Sequence, residues 1–444
     1  MFYLNKGAEI TTELLQKIMN KYQFNTLPKL QKRWKYYNGE HDILTKVYAD
    51  SEKACNHIVT NYCKIITDTY AGYICGKPVT YASNDNIDHV QNVINYNDDE
   101  AANIAWCRNA LIFGVGYELQ WLDEFGETRY AQIDPRTCFA VYDNTLEAKI
   151  IGFARWYEAD NIDDNDLYYL EFYTATHKRT YTMHGFGGYL ELIEEVPHYF
   201  MDVPVSVFML NEEEESIFSS VMSLNDAYNE LQSAEIDDFQ AWVDCYLQLI
   251  GCDAGAEELA DMKKNRVLIL PQGATAQWLT KNTNDTQIVN MLENIKENIF
   301  KVSACPDMAD DNFMAQSGTA LAYKLVGFEN VASGIVSRFT KAIQRRIELI
   351  CNILNLKASD AVWRDIRINF VRNIPVNLTE TINLINALKG TVSDATLLAQ
   401  IPFIDDVNAE IEAVQAQKQA NMDLYGFGAF DAGSDEEETE KGDE

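Results

Sequence analysis

The chain has 444 residues, with 36 Lys and Arg against 68 Asp and Glu, for a formal net charge of −32. The length exceeds one compact core and predicts several structural units, and 47% hydrophobic residues exclude global disorder. The acidity excludes a nucleic-acid binder held by a broad basic face and disfavours an anionic membrane surface.

The nine cysteines are scattered and no two form a CxxC pair. That argues against a disulfide framework or zinc site and for synthesis in a reducing compartment. The opening MFYLNKGAEITTELLQK lacks the basic start and apolar run of a signal peptide. No stretch reaches the roughly 18 apolar residues of a membrane span, so no membrane partner is expected.

In chain order, Ile10, Leu14, Leu15 and Ile18 recur at helical spacing and predict a helix over 8–23. A second helix is predicted over 52–72, then a break at Gly76-Lys77-Pro78 and a strand at Val79–Tyr81. Residues 99–113 read as a helix ending at Gly114. The texture then becomes β-rich, with strands at 117–122, 128–133, 139–142, 150–157, 168–173 and 178–183 separated by turn residues.

From about 214 the apolar spacing is helical, and no Gly or Pro occurs between Asn211 and Gly251. This predicts one helix reaching Ile250, some 36 residues or about 54 Å long. Residues 251–285 read as a compact interlude: an acidic helix (256–263), a strand (266–270), Pro271-Gln272-Gly273 and a strand (276–279). A helix over 285–303 carries Ile288, Leu292, Ile295, Ile299 and Val302 on one arc. Its opposite arc carries Gln287, Asn290, Asn294, Asn298 and Lys301. Cys305-Pro306 breaks it, and a long helix follows from Ser317 to about 357, with Gly327 and Gly334 as bend points. A strand is predicted near 364–371. Helices then fill 378–420, broken at Gly390 and Ile401-Pro402. Residues 431–444 hold eight acids and one lysine and predict a disordered tail.

Catalytic signatures are missing. There is no GxxxxGK[ST], GxSxG or HExxH, and the six histidines do not cluster at metal spacing. Gly185-Phe186-Gly187-Gly188 opens no helix and reads as a hairpin turn. Asp160–Asp166 and Asp307–Asp311 lack the glycine and terminal glutamate of a calcium loop. No enzyme activity, cofactor or metal is expected.

The order of these parts resembles the portal (head-to-tail connector) proteins of long-tailed, double-stranded DNA phages. The resemblance rests on Tyr36-Tyr37-Asn38-Gly39-Glu40-His41-Asp42-Ile43-Leu44, and on Asn61-Tyr62 through Asp68 with Gly72–Val79. It rests also on Ile133-Asp134-Pro135-Arg136, on Asn225-Asp226-Ala227-Tyr228-Asn229 with Ser233, and on Asp307-Met308 with Ser317–Leu321. It covers about 30–400. Asn225 departs from it, standing where the family pattern leads one to expect a hydrophobe.

The resemblance implies an α+β portal fold and a ring, usually of twelve subunits, at one capsid vertex of the virion, assembled in the host cytoplasm. It implies an N-terminal arm (1–24), a first wing segment (25–219), stem helices (220–250 and 285–304) around a clip (251–284), and a tunnel loop (305–316). A long helix with the second wing segment (317–377), a helical crown (378–425) and an acidic tail (426–444) complete it. The implied partners are other copies of the chain, double-stranded DNA, the large terminase, major capsid and scaffold proteins, and head-completion adaptors. Gln287, Asn290, Asn294, Asn298 and Lys301 would line the channel. Asp307, Met308, Asp310, Asp311, Asn312, Phe313 and Met314 would form the tunnel loop. Glu257, Glu258, Lys263, Lys264 and Gln272 would face terminase or adaptor from the clip. Competing readings are another oligomeric head component, disfavoured by the helix–clip–helix–loop–helix order, and an acidic hydrolase, disfavoured by the lack of a catalytic cluster.

Overall fold

The computed structural model describes residues 1–47, 55–159, 166–243, 246–251, 255, 272–279, 285–309, 318–357, 362–373, 378–398, 401, 404 and 407–425. The chain divides into two units, Met1–Asn373 and Ile374–Glu444.

In the first unit, Thr11 caps α1 (Thr12–Asn25) by accepting the Leu14 N–H at 3.3 Å, and Leu15, Ile18, Met19 and Tyr22 form its buried face. α2 (Leu27–Asn38) follows with Pro28 in its first turn and stops at Gly39, whose φ is 85°. α3 (Tyr62–Cys75) starts at Tyr62, not near 52 as the spacing predicts, because residues 55–61 are not helical. After β2 (Thr80–Ala82) and α4 (Asp88–Tyr96), α5 (Asp99–Phe113) matches its predicted bounds. Its Trp106, Cys107 and Ala110–Phe113 are buried. α5 ends at Gly114, φ 83°, where a Cβ would strike the backbone of Glu214, so only glycine lets the next strand start at once.

Two sheets follow. β3 (Val115–Leu122), β4 (Thr128–Ile133) and β10 (Val205–Met209) form one, in the order β10-β3-β4. β5 (Cys138–Asp143), β6 (Ile150–Glu158), β7 (Leu167–Tyr173), β8 (His177–His184) and β9 (Glu191–Pro197) form an antiparallel meander. β1 (Phe2–Leu4) joins its first strand in parallel. All six predicted strands are present, and the Gly185–Gly188 segment links β8 to β9 as a hairpin. The short or strongly polar elements β1, α2, α4, β9 and β10 were not predicted.

β3 is buried on both faces. Val115, Tyr117 and Leu119 point into an apolar cluster with Cys138, Ala140 and Tyr142 of β5 and Val205 of β10. Glu118 and Gln120 point the other way, toward α8 (Gly318–Leu356), and both are fully buried. α8 runs unbroken through Gly327 and Gly334 and buries Phe328, Ile335, Phe339, Ile343 and Ile350. Its Phe339 stacks on Phe208 of β10 at 4.5 Å.

Arg346 of α8 is also fully buried. Its Nε donates to Glu118 Oε1 at 2.7 Å and its Nη2 to Glu118 Oε2 at 2.5 Å. Nη1 donates to Asp99 Oδ1 at 2.5 Å and to Asn103 Oδ1 at 2.8 Å. The guanidinium lies over Tyr130 at 4.5 Å and Trp106 at 5.0 Å. Tyr81 and Tyr130 hydroxyls donate to Asp99, at 2.7 and 2.9 Å. Burial opposes the charge on Arg346, but Glu118 and Asp99 outweigh it and hold its pKa well above the usual value. Burial pushes the Glu118 carboxyl up, with Arg346 pulling the other way.

Two further sequence expectations are corrected. The helix predicted to reach Ile250 is α6 (Met222–Val243), and Tyr246–Ile250 instead form β11. A stretch of alternating and paired apolar residues fits either period over five residues, and the available partner strand β12 (Thr275–Leu279) decides it. The strand predicted near 364–371 is shorter: a 3₁₀ turn at Trp363–Asp365, then β13 (Arg367–Asn369) paired with β2.

The second unit contains α9 (Leu378–Leu388), α10 (Asp394–Leu398) and α11 (Val407–Tyr425). The chain turns at Gly390, φ 87°, and Ser393 accepts the Thr396 N–H at 3.3 Å at the start of α10. The tail 426–444 and most of the Asp160–Asp166 loop lie outside the described residues. Among the described residues, no helix is long and apolar enough to cross a membrane.

Arg346→Leu is expected to cost about 3–5 kcal/mol, because it leaves buried carboxylates without their cation. Urea unfolding checks this. Adding Glu118→Leu should recover part of the loss.

Candidate functional site

The two helices predicted as stem elements, α6 and α7 (Asp285–Ser303), pack together, and the first unit holds them by different means. α6 is held by a polar ladder. The Tyr62 N–H donates to Asn225 Oδ1 at 3.1 Å, the Thr60 N–H to Asn229 Oδ1 at 2.9 Å, the Ile58 N–H to Ser233 Oγ at 3.0 Å, and the Asn56 N–H to Asp237 Oδ1 at 2.8 Å. Every second residue of a non-helical segment thus meets every fourth residue of a helix. The spacings agree: four helical residues rise about 6.0 Å and two extended residues about 6.6 Å. Asn225 also donates through Nδ2 to the Thr60 carbonyl at 2.7 Å.

This explains Asn225. A hydrophobe there would leave the Tyr62 N–H and the Thr60 carbonyl only their tight 3.2 Å contact with each other in a buried place. Asn225, Asn229 and Ser233 are all buried.

A second set of contacts surrounds the ladder. The Tyr36 hydroxyl donates to both oxygens of Asp226, at 2.9 and 2.8 Å. His41 is buried and stacks on Tyr36 with centroids 4.7 Å apart. Its Nε2 lies 3.0 Å from the Tyr36 carbonyl, which can only accept, and its Nδ1 lies 3.0 Å from Asn229 Nδ2, which can only donate. The imidazole is therefore the Nε2–H tautomer. Burial raises the pKa of Asp226, while the Tyr36 hydrogen bond lowers it. The YY-x-G-x-H and D-x-YN…S stretches, far apart in sequence, thus meet in one network.

α7 is held by apolar and single polar contacts. Phe300 meets Tyr62 edge-on at 5.7 Å, and Ile299 is fully buried. The Tyr70 hydroxyl donates to the Ser303 carbonyl at 3.0 Å. Gln287, Asn290, Asn294, Asn298 and Lys301 are all exposed. At 100° per residue they share one arc, bordered by Glu293 and Glu297. Lys301 pairs with Glu297 at 2.8 Å, and both are well exposed, so the pair adds little stability. Val302, predicted on the apolar arc, is 54% exposed, as are Met291 of α7 and Phe239 of α6 at 54% and 63%. The apolar surface of these helices is wider than the first unit covers.

Beyond α7 the chain reverses at Ala304, φ 52°, and Cys305 is buried, its thiol pushed up to about 12 by burial. Asp307 pairs with Lys296 of α7 at 2.7 Å and accepts the Ala309 N–H at 3.1 Å. It is thus tied back to the helix. Met308 is 50% exposed. Asp310, Asp311, Asn312, Phe313 and Met314 lie outside the described residues, as do Glu257, Glu258, Lys263 and Lys264. Gln272 is exposed beside Gly273, before β12. Among the described residues, no group of three or more His, Cys, Asp or Glu could hold a metal.

Asn229→Ala removes a rung and the partner of His41. A loss of about 1–3 kcal/mol is expected, with faster amide exchange at Thr60 than in the native chain. Ser233→Ala should speed exchange at Ile58 in the same way. Hydrogen-exchange mass spectrometry over 55–62 reads both.

The family described as phage portal protein, SPP1 Gp6-like, matches residues 16–423. The chain is also similar to the protein named "Portal protein" of Bacillus phage SPP1, 22% identical over 465 residues, covering 97% of this chain and 91% of that one. The match takes in the wing-like sheets, both candidate stem helices and α8 alike, and the chain belongs to the phage portal protein family.

Proposed function

We propose that this protein forms a ring, of twelve copies in the virion, at one vertex of the capsid, and that DNA passes through its centre. The observation that carries the reading is α7. Its amide arc is exposed, Glu293 and Glu297 run along one edge of that arc, and its opposite side is anchored to the body of the chain. Helices α6 and α7 also expose Phe239, Met291 and Val302, apolar surface that neighbouring copies would cover. The arc Gln287–Lys301 would line the channel.

Electrostatics fit that role. Without residues 431–444 each chain carries −25, so twelve copies carry roughly −300. A negative wall with amide donors repels phosphates and offers only weak, neutral hydrogen bonds. DNA then slides without being held. Lys301 would touch a phosphate only by leaving Glu297.

In this reading the large terminase docks at the clip during packaging and supplies the energy, since the chain has no phosphate-binding loop of its own. Capsid and scaffold proteins surround the ring during assembly in the host cytoplasm. Head-completion adaptors later take the terminase position, and the same channel releases the genome. The portal family is structural, and no step here needs catalysis by this chain.

Native mass spectrometry with negative-stain imaging should find a ring with a central hole. In such rings, Asn294→Cys and Asn298→Cys should react with a thin hydrophilic thiol reagent and resist a globular one too wide for the channel. Equal reaction with both would remove these residues from the channel wall. Deleting residues 309–314 should leave rings intact and lower DNA retention several-fold in a packaging assay.

A further inference from the structure

The loop between β9 and β10 is held in a conformation that its residues disfavour. Among the described residues, seven non-glycine positions have φ in the left-handed region. Tyr199 (φ 64°) and Met201 (φ 63°) are the two with large apolar side chains, and one residue separates them. A Cβ is crowded in this region, and glycine would relieve the strain at either position. Both side chains face solvent, Tyr199 62% and Met201 69% exposed, so their own burial does not offset that strain.

Three anchors hold the loop instead, and they alternate with the strained residues. Phe200 is buried against Leu349 and Ile353 of α8, and its carbonyl accepts from Asn352 Nδ2 at 3.1 Å. Asp202 pairs with Arg345 of α8 at 3.0 Å and with Lys149 at 3.5 Å. The third anchor is His198. Its Nε2 lies 2.8 Å from the Thr174 carbonyl in the β7–β8 turn, and its Nδ1 accepts the Phe200 N–H at 3.3 Å. The carbonyl can only accept and the N–H can only donate. The ring is therefore the neutral Nε2–H tautomer, and its Nδ1 lone pair closes the turn whose middle residue is Tyr199.

A proton on Nδ1 removes that acceptor and sets two donors against each other. Turning the ring over does not help, since both nitrogens of the cation donate. Two titratable groups face the ring, His177 of β8 and Asp202 of the loop itself. Asp202 is already engaged by Arg345 and Lys149, and Arg345 is shared with Glu348 of α8 at 2.7 Å. Tyr173 of β7 adds an aromatic ring with its centroid 6.4 Å away. Burial, helped by His177, holds the His198 pKa below the usual imidazole value, against the pull of the Thr174 bond and Asp202.

We propose that His198 is a pH-sensitive latch on this loop. Neutral, it holds Tyr199 and Met201 out in a fixed pose. On taking up a proton it lets the Tyr199–Phe200 peptide turn and Tyr199 relax to an ordinary φ, which withdraws that apolar surface. The released loop binds the proton more tightly than the latched one. The latch is thus fully formed above about pH 6.5, the ordinary imidazole value, and is lost as pH falls through the lowered one. Phe200 and Asp202 keep their ties to α8, which confines the change to the loop. The ring reading is not needed for this inference.

Hydrogen-exchange mass spectrometry of the full-length chain tests it, with rates corrected for the intrinsic effect of pH. Between pH 7.5 and 5.0, corrected exchange at Phe200 should rise about tenfold, the change in protonated fraction over one pH unit. His198→Asn keeps an oxygen that can accept the Phe200 N–H and cannot titrate, so its loop should stay protected at both pH values. His198→Ala should exchange fast at both. Tyr199→Gly takes the same φ without strain, and its response to acid should shrink. His177→Asn should respond as the native chain does.

A native loop unchanged across that range overturns the inference. So does an acid response that persists in His198→Asn, or exchange in that variant as fast as in His198→Ala. An equal acid response in the β3–β4 turn, residues 123–127, where no histidine lies, would assign the effect to general loosening and overturn it as well.

Discussion

The buried guanidinium of Arg346 is the contact on which the first unit depends. It joins the long helix α8 to β3 through Glu118 and to α5 through Asp99, and its ring neighbours come from α5 and β4. The β2 strand is tied in through Tyr81. A buried ion pair is seldom worth more than well-packed apolar groups. Its value here is specificity. Glu118 and Gln120 can lie inward only against a helix that presents Arg346 at that height, and Gln120 Nε2 accordingly donates to the Arg346 carbonyl at 3.1 Å. A one-residue slip of β3 would turn those polar groups into the apolar cluster between the sheets.

Much of this fold was legible in the sequence, and the failures have physical causes. α5, β4 and α7 match their expected bounds because each has a clear period and a breaker at its end, Gly114 and Pro306 among them. The end of α6 was not legible, since Tyr246–Ile250 choose a strand only because Thr275–Leu279 lie opposite. β9 was missed because five of its seven residues are exposed in a row, and no alternation announces a strand. The inward face of β3 was hidden too. Its glutamate and glutamine look like a solvent face until a residue over two hundred positions away arrives to meet them.

The candidate site divides in the same way. The amide arc of α7 could be read from spacing alone, and all five of its residues are exposed. Its anchorage could not, because side chains bonding to backbone leave no complementary letter in the partner segment. Asn225, Asn229, Ser233 and Asp237 do recur every fourth residue, and four small polar residues on one helical face were the available signal. Asp307 lies in the non-helical segment after α7, and its bond to Lys296 ties that segment back to the helix, which no spacing announces.

The polar ladder also limits how this protein can change in length. One residue inserted into α6 between Asn225 and Asp237 rotates everything after it by about 100° and turns the later rungs away from their N–H partners. One residue inserted between Asn56 and Tyr62 offers carbonyls where amides are needed. The ladder survives only changes that add or remove four helical residues for every two extended ones. Beyond Asp237, Asn56 Nδ2 still donates to Gln240 Oε1 at 3.0 Å, so a change in the length of α6 that keeps these bonds falls after Gln240. Insertions there would lengthen α6 and leave its attachment to the body untouched.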